Sequence, residues 1–200
     1  WLAEVVVAEK KNIMLRFKER RAAQFYSPDL WLVFAPIKSK SELVVEKATE
    51  LGVSKLLPVL MKHSVVKSVN MEKLKAHAIE AAEQCERHDI PEIAACQTLQ
   101  ALLANWPKDR TLLYGDESGK GEALPALLAH ARPGKYGLLI GPEGGFSAEE
   151  HRMLASYAFV KPFGMGPRIL RADTAAVAAL ACIMSKLGDW HERPHFMASA

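Results

Sequence analysis

The sequence predicts an α/β fold whose parallel sheet is covered by helices on both faces. From Leu30 onward, short apolar runs alternate with amphipathic stretches, as in strands joined by crossover helices. Glycine-rich turns at 141–145 and 164–166 each follow an apolar run and lead into a helical stretch. Because such turns lie at the carboxyl ends of parallel strands, we expect them to form one pocket with walls made mostly of backbone.

The bounds of the elements follow from the spacing of apolar residues and helix caps. Apolar alternation predicts strands at 1–7 and 13–17 around a polar turn, followed by a linker at 27–29. Ser147-Ala-Glu-Glu150 is a capping box that predicts a helix start, and Gly188 is expected to stop the last helix. The remaining strands are predicted at 30–36, 55–60, 112–114, 137–140 and 159–163, and the helices at 41–51, 71–87, 99–105, 123–130, 148–157 and 174–187.

Composition excludes several classes of protein. Among the 200 residues, 50% are hydrophobic and 24% are charged, which is ordinary for a globular protein, and no apolar run reaches the length of a membrane span. Glu4 and Glu9 interrupt the apolar start, so no signal peptide is predicted, and because the first residue is Trp we expect further sequence upstream. The three cysteines are widely spaced without a C-x-x-C pair, which favours a reducing compartment and predicts neither disulfide nor zinc.

The turn Gly141-Pro-Glu-Gly-Gly145 differs from both common nucleotide-binding patterns. It does not fit G-x-G-x-x-G, and no lysine follows it as a Walker loop requires. Pro142 also lacks the backbone N–H that a phosphate would need. The turn therefore suits a ligand that is recognised partly through backbone carbonyls, such as an adenine edge or an amino-acid moiety.

Four motifs follow one another along the chain. They are Val45-Glu-Lys-Ala-Thr-Glu-Leu-Gly-Val53, Ile79-Glu-Ala-Ala-Glu-Gln-Cys-Glu-Arg87 before Ile90-Pro-Glu92, Gly141-Pro-Glu-Gly-Gly-Phe-Ser147, and Gly164-Met-Gly-Pro-Arg-Ile-Leu-Arg-Ala-Asp-Thr174. In this order they resemble the RsmE-type 16S ribosomal RNA uridine-N3 methyltransferases of the SPOUT superfamily. The resemblance extends over residues 1–190.

The resemblance implies a domain organisation that periodicity alone would not predict. Residues 1–28 would be the remnant of an N-terminal PUA-like β-domain that binds RNA, and residues 29–190 a SPOUT methyltransferase domain. A C-terminal trefoil knot would bring three loops together, which is a rare exception to the usual rules of chain connection. Residues 191–200 would form a tail, and the protein would act as a homodimer.

The same resemblance implies S-adenosylmethionine as the cofactor, held by three loops. The first loop begins at Tyr114-Gly-Asp-Glu117, the second is the Gly141 turn, and the third is the Gly164 turn. The cofactor-binding residues it implies are Tyr114, Gly115, Ile140, Gly141, Glu143, Gly144, Gly145, Met165, Gly166, Ile169, Leu170 and Arg171.

Arg171, Arg168 and Glu143 are the candidate catalytic residues. The two arginines could grip a phosphate or the target base, or one of them could pair with Glu143 or Asp173 to hold the loop. Glu143 could instead be an acid favoured by the dipole of the following helix. Asp173 stands where many members of the family carry glutamate, and it is either a shortened catalytic acid or the N-cap of the last helix.

Basic residues supply the candidate RNA contacts. Between Lys10 and Arg21 six basic residues accompany the single acid Glu19, a pattern that fits phosphate binding or simply a solvated hairpin face. Lys47 and Glu50 could form an i,i+3 ion pair or serve a site. The candidate RNA-binding residues are Lys10, Lys11, Arg16, Lys18, Arg20, Arg21, Lys62, His63 and Arg87.

The implied function is S-adenosylmethionine-dependent methylation of N3 of a uridine in 16S ribosomal RNA of the small ribosomal subunit, in the cytoplasm. N3 lies on the Watson–Crick edge, so the base must be unpaired or flipped out, and N3 must lose its proton. No metal or membrane is expected to take part. Two alternatives stay open: a related SPOUT methyltransferase acting on another RNA position, and a non-catalytic RNA-binding or assembly protein with the same fold.

Overall fold

The computed structural model describes residues 1–21, 23–38 and 40–193. An antiparallel hairpin of β1 (Leu2–Ala8) and β2 (Ile13–Glu19) precedes an α/β domain. The elements of that domain are, in chain order, β3 (Leu30–Phe34), α1 (Ser41–Glu50), β4 (Lys55–Leu60), α2 (Met71–Gln84), β5 (Glu92–Ile93), β6 (Gln97–Thr98), α3 (Leu99–Ala104), β7 (Arg110–Gly115), β8 (Glu122–Ala123), α4 (Leu124–Ala129), β9 (Lys135–Ile140), α5 (Ala148–Ala155), β10 (Val160–Gly164) and α6 (Ala172–Leu187).

The main sheet is parallel, as the alternation of strands and helices predicts. Its strand order is β5-β4-β3-β9-β7-β10-β8, with β6 pairing the far end of β4, and every pairing is parallel. Each strand predicted after the linker is present, and the two-residue strands β5, β6 and β8 are additions that the sequence pattern did not predict. Strands of two residues are too short to show the alternation from which strands are predicted.

Helices cover both faces of the sheet, which confirms the predicted layering. On one face α1, α2, α4 and α6 bury side chains such as Val45, Leu74 and Leu180 against the strands. On the other face α3 and α5 do the same through Leu103 and Leu154. The two clusters leave each of the long central strands apolar on both sides, as expected for buried parallel strands.

The last helix, α6, is rich in small residues because it packs closely against its neighbours. Ala172, Ala176 and Ala179 are buried in the core cluster, and α6 contacts both α1 and β9. Cys182 is half-buried against the same cluster, so it is a packing residue. The helix ends at Gly188, as predicted, and begins two residues before the predicted start.

The predicted linker at 27–29 is anchored at both ends. The Ser27 backbone N–H and hydroxyl donate to the Asp89 carboxylate at 3.2 and 3.0 Å. The Asp29 carboxylate accepts two bonds of 2.7 Å from the buried Arg110, whose guanidinium lies 3.6 Å from the centre of the Trp31 ring. These bonds tie the start of the α/β domain to the amino ends of its strands.

Arg87 also belongs to this framework, which argues against its predicted contact with RNA. Its side chain is only 9% exposed and pairs with Asp89. The guanidinium donates to the backbone oxygens of Thr49 and Val53, which lie where α1 ends and β4 approaches. All of these partners are internal, so Arg87 does not form part of the candidate RNA surface.

Within the described ranges, no α-helix combines the length and the apolar character that a membrane span requires. The predicted tail at 191–200 lies outside the described residues from position 194 onward. The knot and the PUA-like nature of residues 1–28 stay predictions.

Replacing Arg110 with alanine should lower the free energy of unfolding by about 2–3 kcal/mol, because buried hydrogen bonds to charged groups are lost. Urea denaturation measures the change. Arg152→Ala is the matched control, since that side chain is 76% exposed and is expected to change stability by less than about 0.5 kcal/mol. Equal effects of the two substitutions would contradict the anchoring role of Arg110.

Candidate functional site

A pocket of about 880 Å³ opens where β7, β9 and β10 end. These strands are adjacent and parallel, so the loops after Gly115, Ile140 and Gly164 meet at one edge of the sheet. The volume is within the usual range for small-molecule sites. Of the predicted cofactor-binding residues, those that line the pocket are Gly115, Ile140, Gly141, Glu143, Gly144, Gly145, Met165, Gly166, Ile169, Leu170 and Arg171.

Tyr114 is the exception, and the structure corrects its predicted role. It is the last-but-one residue of β7, and its ring packs at 5.6 Å from the Phe146 ring, beneath the pocket. Burial and the neighbouring acids Asp116 and Glu117 raise the pKa of the Tyr114 phenol to about 12. Because side chains alternate along a strand, Gly115 reaches the pocket while Tyr114 turns into the core.

The second loop, defined here as the glycine loop, comprises residues 141–146. Gly145 has a φ of +69°, and its N–H donates to the Pro142 carbonyl at 2.9 Å, which closes a tight turn. The predicted capping box then starts α5: Ser147 accepts from the Glu150 N–H, and Glu150 accepts from the Ser147 N–H. The turn and the cap together set the direction in which the loop leaves the sheet.

His63 contacts the glycine loop from the side of β4. Its Nδ1 lies 3.0 Å from the Gly144 carbonyl oxygen and 3.1 Å from the Gly145 carbonyl oxygen. An N–H at Nδ1 therefore donates to the loop, which gives this predicted RNA-binding residue a different local role. The backbone N–H of Lys62 donates to Glu150 at 2.8 Å, so the His63 segment is also bound to α5.

Glu117 contacts the glycine loop from the opposite side. Its Oε1 accepts a hydrogen bond of 2.8 Å from the Phe146 N–H. His151 on α5 lies nearby, with Nε2 3.8 Å from Glu117 Oε1 and Nδ1 4.0 Å from Asp116 Oδ1. Among the described residues Asp116, Glu117 and His151 are the group close enough to be considered as metal ligands, but one oxygen of each carboxylate already accepts a backbone N–H.

The mouth of the pocket carries the candidate catalytic side chains. Arg168, Arg171 and Glu143 are all exposed pocket-lining residues, and within the described ranges none of them forms a salt bridge. The suggested pairing of an arginine with Glu143 or Asp173 is therefore wrong for this structure. Glu143 also precedes Ser147, the N-cap of α5, so it does not occupy the helix's first turn, where Glu149 and Glu150 stand instead.

Asp173 is not the N-cap of α6. The helix begins at Ala172, so its N-cap is Arg171, and the Arg171 side chain makes no capping hydrogen bond. Asp173 instead pairs with Lys40 at 2.5 Å, and this hydrogen bond holds the pKa of its carboxyl below the ordinary value. The pair joins the segment after β3 to the first turn of α6, directly after the third pocket loop.

The remaining basic candidates are exposed. The hairpin residues between Lys10 and Arg21 lie on the surface, where Lys18 pairs with Glu4 at 2.7 Å and Arg21 with Glu19 at 3.3 Å. Lys62 pairs with Glu149 at 2.9 Å, and its ammonium lowers the pKa of that carboxyl to about 2. Lys47 and Glu50 form an i,i+3 ion pair of 2.8 Å, which is one of the two alternatives predicted for them.

Comparisons with known proteins identify a family and several relatives of this chain. Residues 26–184 match the model of an RNA methyltransferase domain family. Ribosomal RNA small subunit methyltransferase E from Rickettsia conorii is 35% identical over 183 residues, which cover 90% of this chain and 74% of the relative.

Two solved structures are also similar. A Legionella pneumophila protein in complex with the bound cofactor S-adenosylmethionine superposes with a TM-score of 0.81 at 28% identity, covering 94% of this chain and 78% of that one. A ribosomal RNA small subunit methyltransferase E from Neisseria gonorrhoeae, bound to S-adenosylmethionine, shares the fold with a TM-score of 0.82 at 24% identity, covering 94% and 79%.

Gly145→Ala should disturb the glycine loop more than Gly119→Ala does. Both glycines have positive φ, so both substitutions carry a backbone cost of about 1–2 kcal/mol, but only a Cβ at Gly145 would meet Glu117 Oε1, at 2.4 Å. Nothing lies within 4 Å of a Cβ at Gly119. Amide chemical shifts of Gly141 and of residues 143–146 should move in the Gly145 variant and remain unchanged in the Gly119 variant.

The Lys40–Asp173 pair should make stability depend on pH at the acid end. A depressed carboxyl pKa contributes stability above the unfolded value of 3.8, and this stability is lost as pH falls through the folded value. Asp173→Asn should therefore reduce the loss of stability on acidification. Asp109→Asn is the control, because the side chains of Asp109 and Lys135 are 63% and 53% exposed and solvent screens their ion pair. An equal change in the acid dependence of stability in both variants would contradict the prediction.

Proposed function

The chain belongs to the RNA methyltransferase family that includes ribosomal RNA small subunit methyltransferase E, and from this membership we propose that it methylates N3 of a uridine in 16S ribosomal RNA. S-adenosylmethionine would be the methyl donor and the small ribosomal subunit the partner. The observation that carries the proposal is the meeting of three loops, two of which carry the family's motifs, around one pocket of about 880 Å³.

The pocket residues fit this cofactor. Gly141, Gly144 and Gly145 present backbone without side chains, so a flat adenine or an amino-acid moiety can approach closely. Ile140, Phe163 and Leu170 supply apolar walls, whereas the absence of an N–H at Pro142 disfavours a polyphosphate. When bound, S-adenosylmethionine supplies an electrophilic methyl group to the reaction.

The side chains at the mouth are suited to the uracil. Loss of the N3 proton leaves an anionic ring, and the guanidinium of Arg171 or Arg168 would stabilise that charge. Neither side chain is held by a salt bridge within the described ranges, so both are free to engage the base or an adjoining phosphate. We assign the stabilising role to Arg171, with Arg168 as the second cation.

The proton at N3 needs an acceptor close to the same mouth. The exposed carboxylate of Glu143 lines the pocket and is a candidate, either directly or through a water molecule. Asp173 is the weaker candidate because Lys40 already holds its Oδ2. We therefore propose Glu143 as the proton acceptor.

The hairpin of β1 and β2 would dock the ribosomal RNA. Arg16 and Lys18 lie on one face of β2, since side chains two apart share a face, and Lys10 and Lys11 lie in the turn. With Arg20, Arg21, Lys62 and the region around His63, these residues form the proposed RNA surface. The hairpin's PUA-like origin, a homodimer, a trefoil knot and a cytoplasmic location complete the proposal by family resemblance.

Calorimetric titration with S-adenosylmethionine tests the cofactor site first. We expect binding of about one molecule per subunit, and loss of binding in Gly144→Val, because even a Cβ at Gly144 would lie 2.9 Å from the Cβ of His63. Thermal unfolding of both proteins controls for folding. Absence of binding to a folded wild-type protein would reject the methyltransferase proposal.

Arg171→Ala should lower kcat by roughly 100-fold to 1000-fold while the cofactor Kd stays within a few-fold, because a cation that stabilises developing charge acts mainly in the transition state. Mass spectrometry of nucleosides from methylated small subunits measures the product. Detection of 3-methyluridine would support methylation at N3 of a uridine. A different methylated nucleoside would instead support the alternative of a related methyltransferase that acts at another RNA position. Normal turnover of the variant would refute the role of Arg171.

A further inference from the structure

We propose that Glu117 and His63 are positioning residues which hold the glycine loop from opposite sides in the shape that receives the cofactor. This inference rests on the proposed function for the identity of the ligand. It assigns a task to two side chains that come from different parts of the sheet, one after β7 and one after β4. Neither task follows from the loop's own sequence.

Glu117 holds the end of the loop. Its Oε1 accepts the Phe146 N–H at 2.8 Å, and the same oxygen lies so close to Gly145 that a Cβ there would stand 2.4 Å away. Phe146 is buried, with its ring 5.6 Å from Tyr114 and 5.5 Å from His151. The carboxylate thus fixes the backbone at the point where the loop turns from the pocket into the core.

His63 holds the middle of the loop. Its Nδ1 is within hydrogen-bond distance of the carbonyl oxygens of Gly144 and Gly145, at 3.0 and 3.1 Å. The segment carrying His63 is itself fixed, because the Lys62 N–H donates to the buried Glu150 and the Met61 N–H donates to the Ser64 hydroxyl. Because this segment is fixed, the imidazole of His63 is held in a defined position relative to the glycine loop.

The loop requires such support because of its composition. Glycines lose more conformational freedom on ordering than other residues, so an unsupported Gly-Gly pair would sample several shapes. Binding then selects only the competent fraction, and the apparent affinity falls by that fraction. Bonds that hold the competent shape beforehand therefore strengthen cofactor binding without touching the reacting atoms.

Paired substitutions separate the hydrogen bonds from charge and bulk. Glu117→Ala removes the acceptor for Phe146, whereas Glu117→Gln keeps an acceptor oxygen and loses only the charge. His63→Ala removes the donor, whereas His63→Asn keeps an N–H close to the position of Nδ1. Glu80→Ala and His130→Ala, at exposed positions outside the pocket, are the matched controls.

We expect each alanine variant to raise the Kd for S-adenosylmethionine roughly tenfold, the usual effect of losing one such bond. The Gln and Asn variants should restore most of the affinity, and the control variants should bind normally. A glutamine variant as weak as the alanine variant would overturn the hydrogen-bond role of Glu117 in favour of its charge. Wild-type affinity in both alanine variants would overturn the proposal.

Amide hydrogen exchange provides a second measurement that needs no cofactor. In the free protein the Phe146 amide should exchange roughly tenfold faster in Glu117→Ala than in wild type or Glu117→Gln, because its acceptor is gone. An unchanged exchange rate of the Phe146 amide would contradict the proposal that Glu117 holds the loop. Since this measurement stands without ligand, the positioning role can hold even if wild-type protein fails to bind S-adenosylmethionine, which would refute only the proposed function.

The variant carrying both alanines tests whether the two residues act on the same loop. When each bond biases one equilibrium between held and free shapes, the double variant should lose at least the product of the two single losses. A double variant no weaker than the weaker single variant would contradict a shared action. Unchanged thermal unfolding of the single variants would exclude general destabilisation as the cause of lost affinity.

Discussion

The parallel pairing of β9, β7 and β10 is the constraint on which the site depends. Strands that run in one direction end at one edge of the sheet, so loops far apart in sequence become neighbours there. The register is held at the opposite edge by Arg110, which binds the Asp29 carboxylate and the Tyr136 carbonyl oxygen. One buried guanidinium thus ties β7 to β9 and to the entry of β3, and the pocket forms at the far ends of these same strands.

Backbone and side chains make different contributions to the site. The pocket walls are largely glycine-rich backbone, which accepts a ligand closely but has little rigidity of its own. Rigidity comes from hydrogen bonds to neighbouring segments, through Glu117, His63 and the capping box of α5. The side chains at the mouth, such as Arg171 and Glu143, are exposed and form no salt bridge within the described ranges, which is compatible with the roles proposed for them.

Basic residues illustrate why charge counts alone do not define an RNA surface. Arg87 and Lys62 look alike in sequence, because each stands close to the end of a predicted element. In the structure Arg87 is enclosed, because the backbone oxygens at the end of α1 require a donor, whereas Lys62 remains on the surface beside Glu149. Which of these cations can meet a phosphate depends on burial, and burial depends on contacts made across the fold.

The amino-acid sequence alone was enough to predict the order, type and approximate bounds of the long elements, because apolar periodicity and capping residues act within a few neighbouring positions. It also determined which glycine loops form the pocket. Three features became visible only in the folded chain: Tyr114 turns into the core, Asp173 pairs with Lys40 instead of capping α6, and Glu117 and His63 form hydrogen bonds with the glycine loop. These contacts join residues from different strands and loops, and their partners become neighbours only when the parallel sheet has assembled.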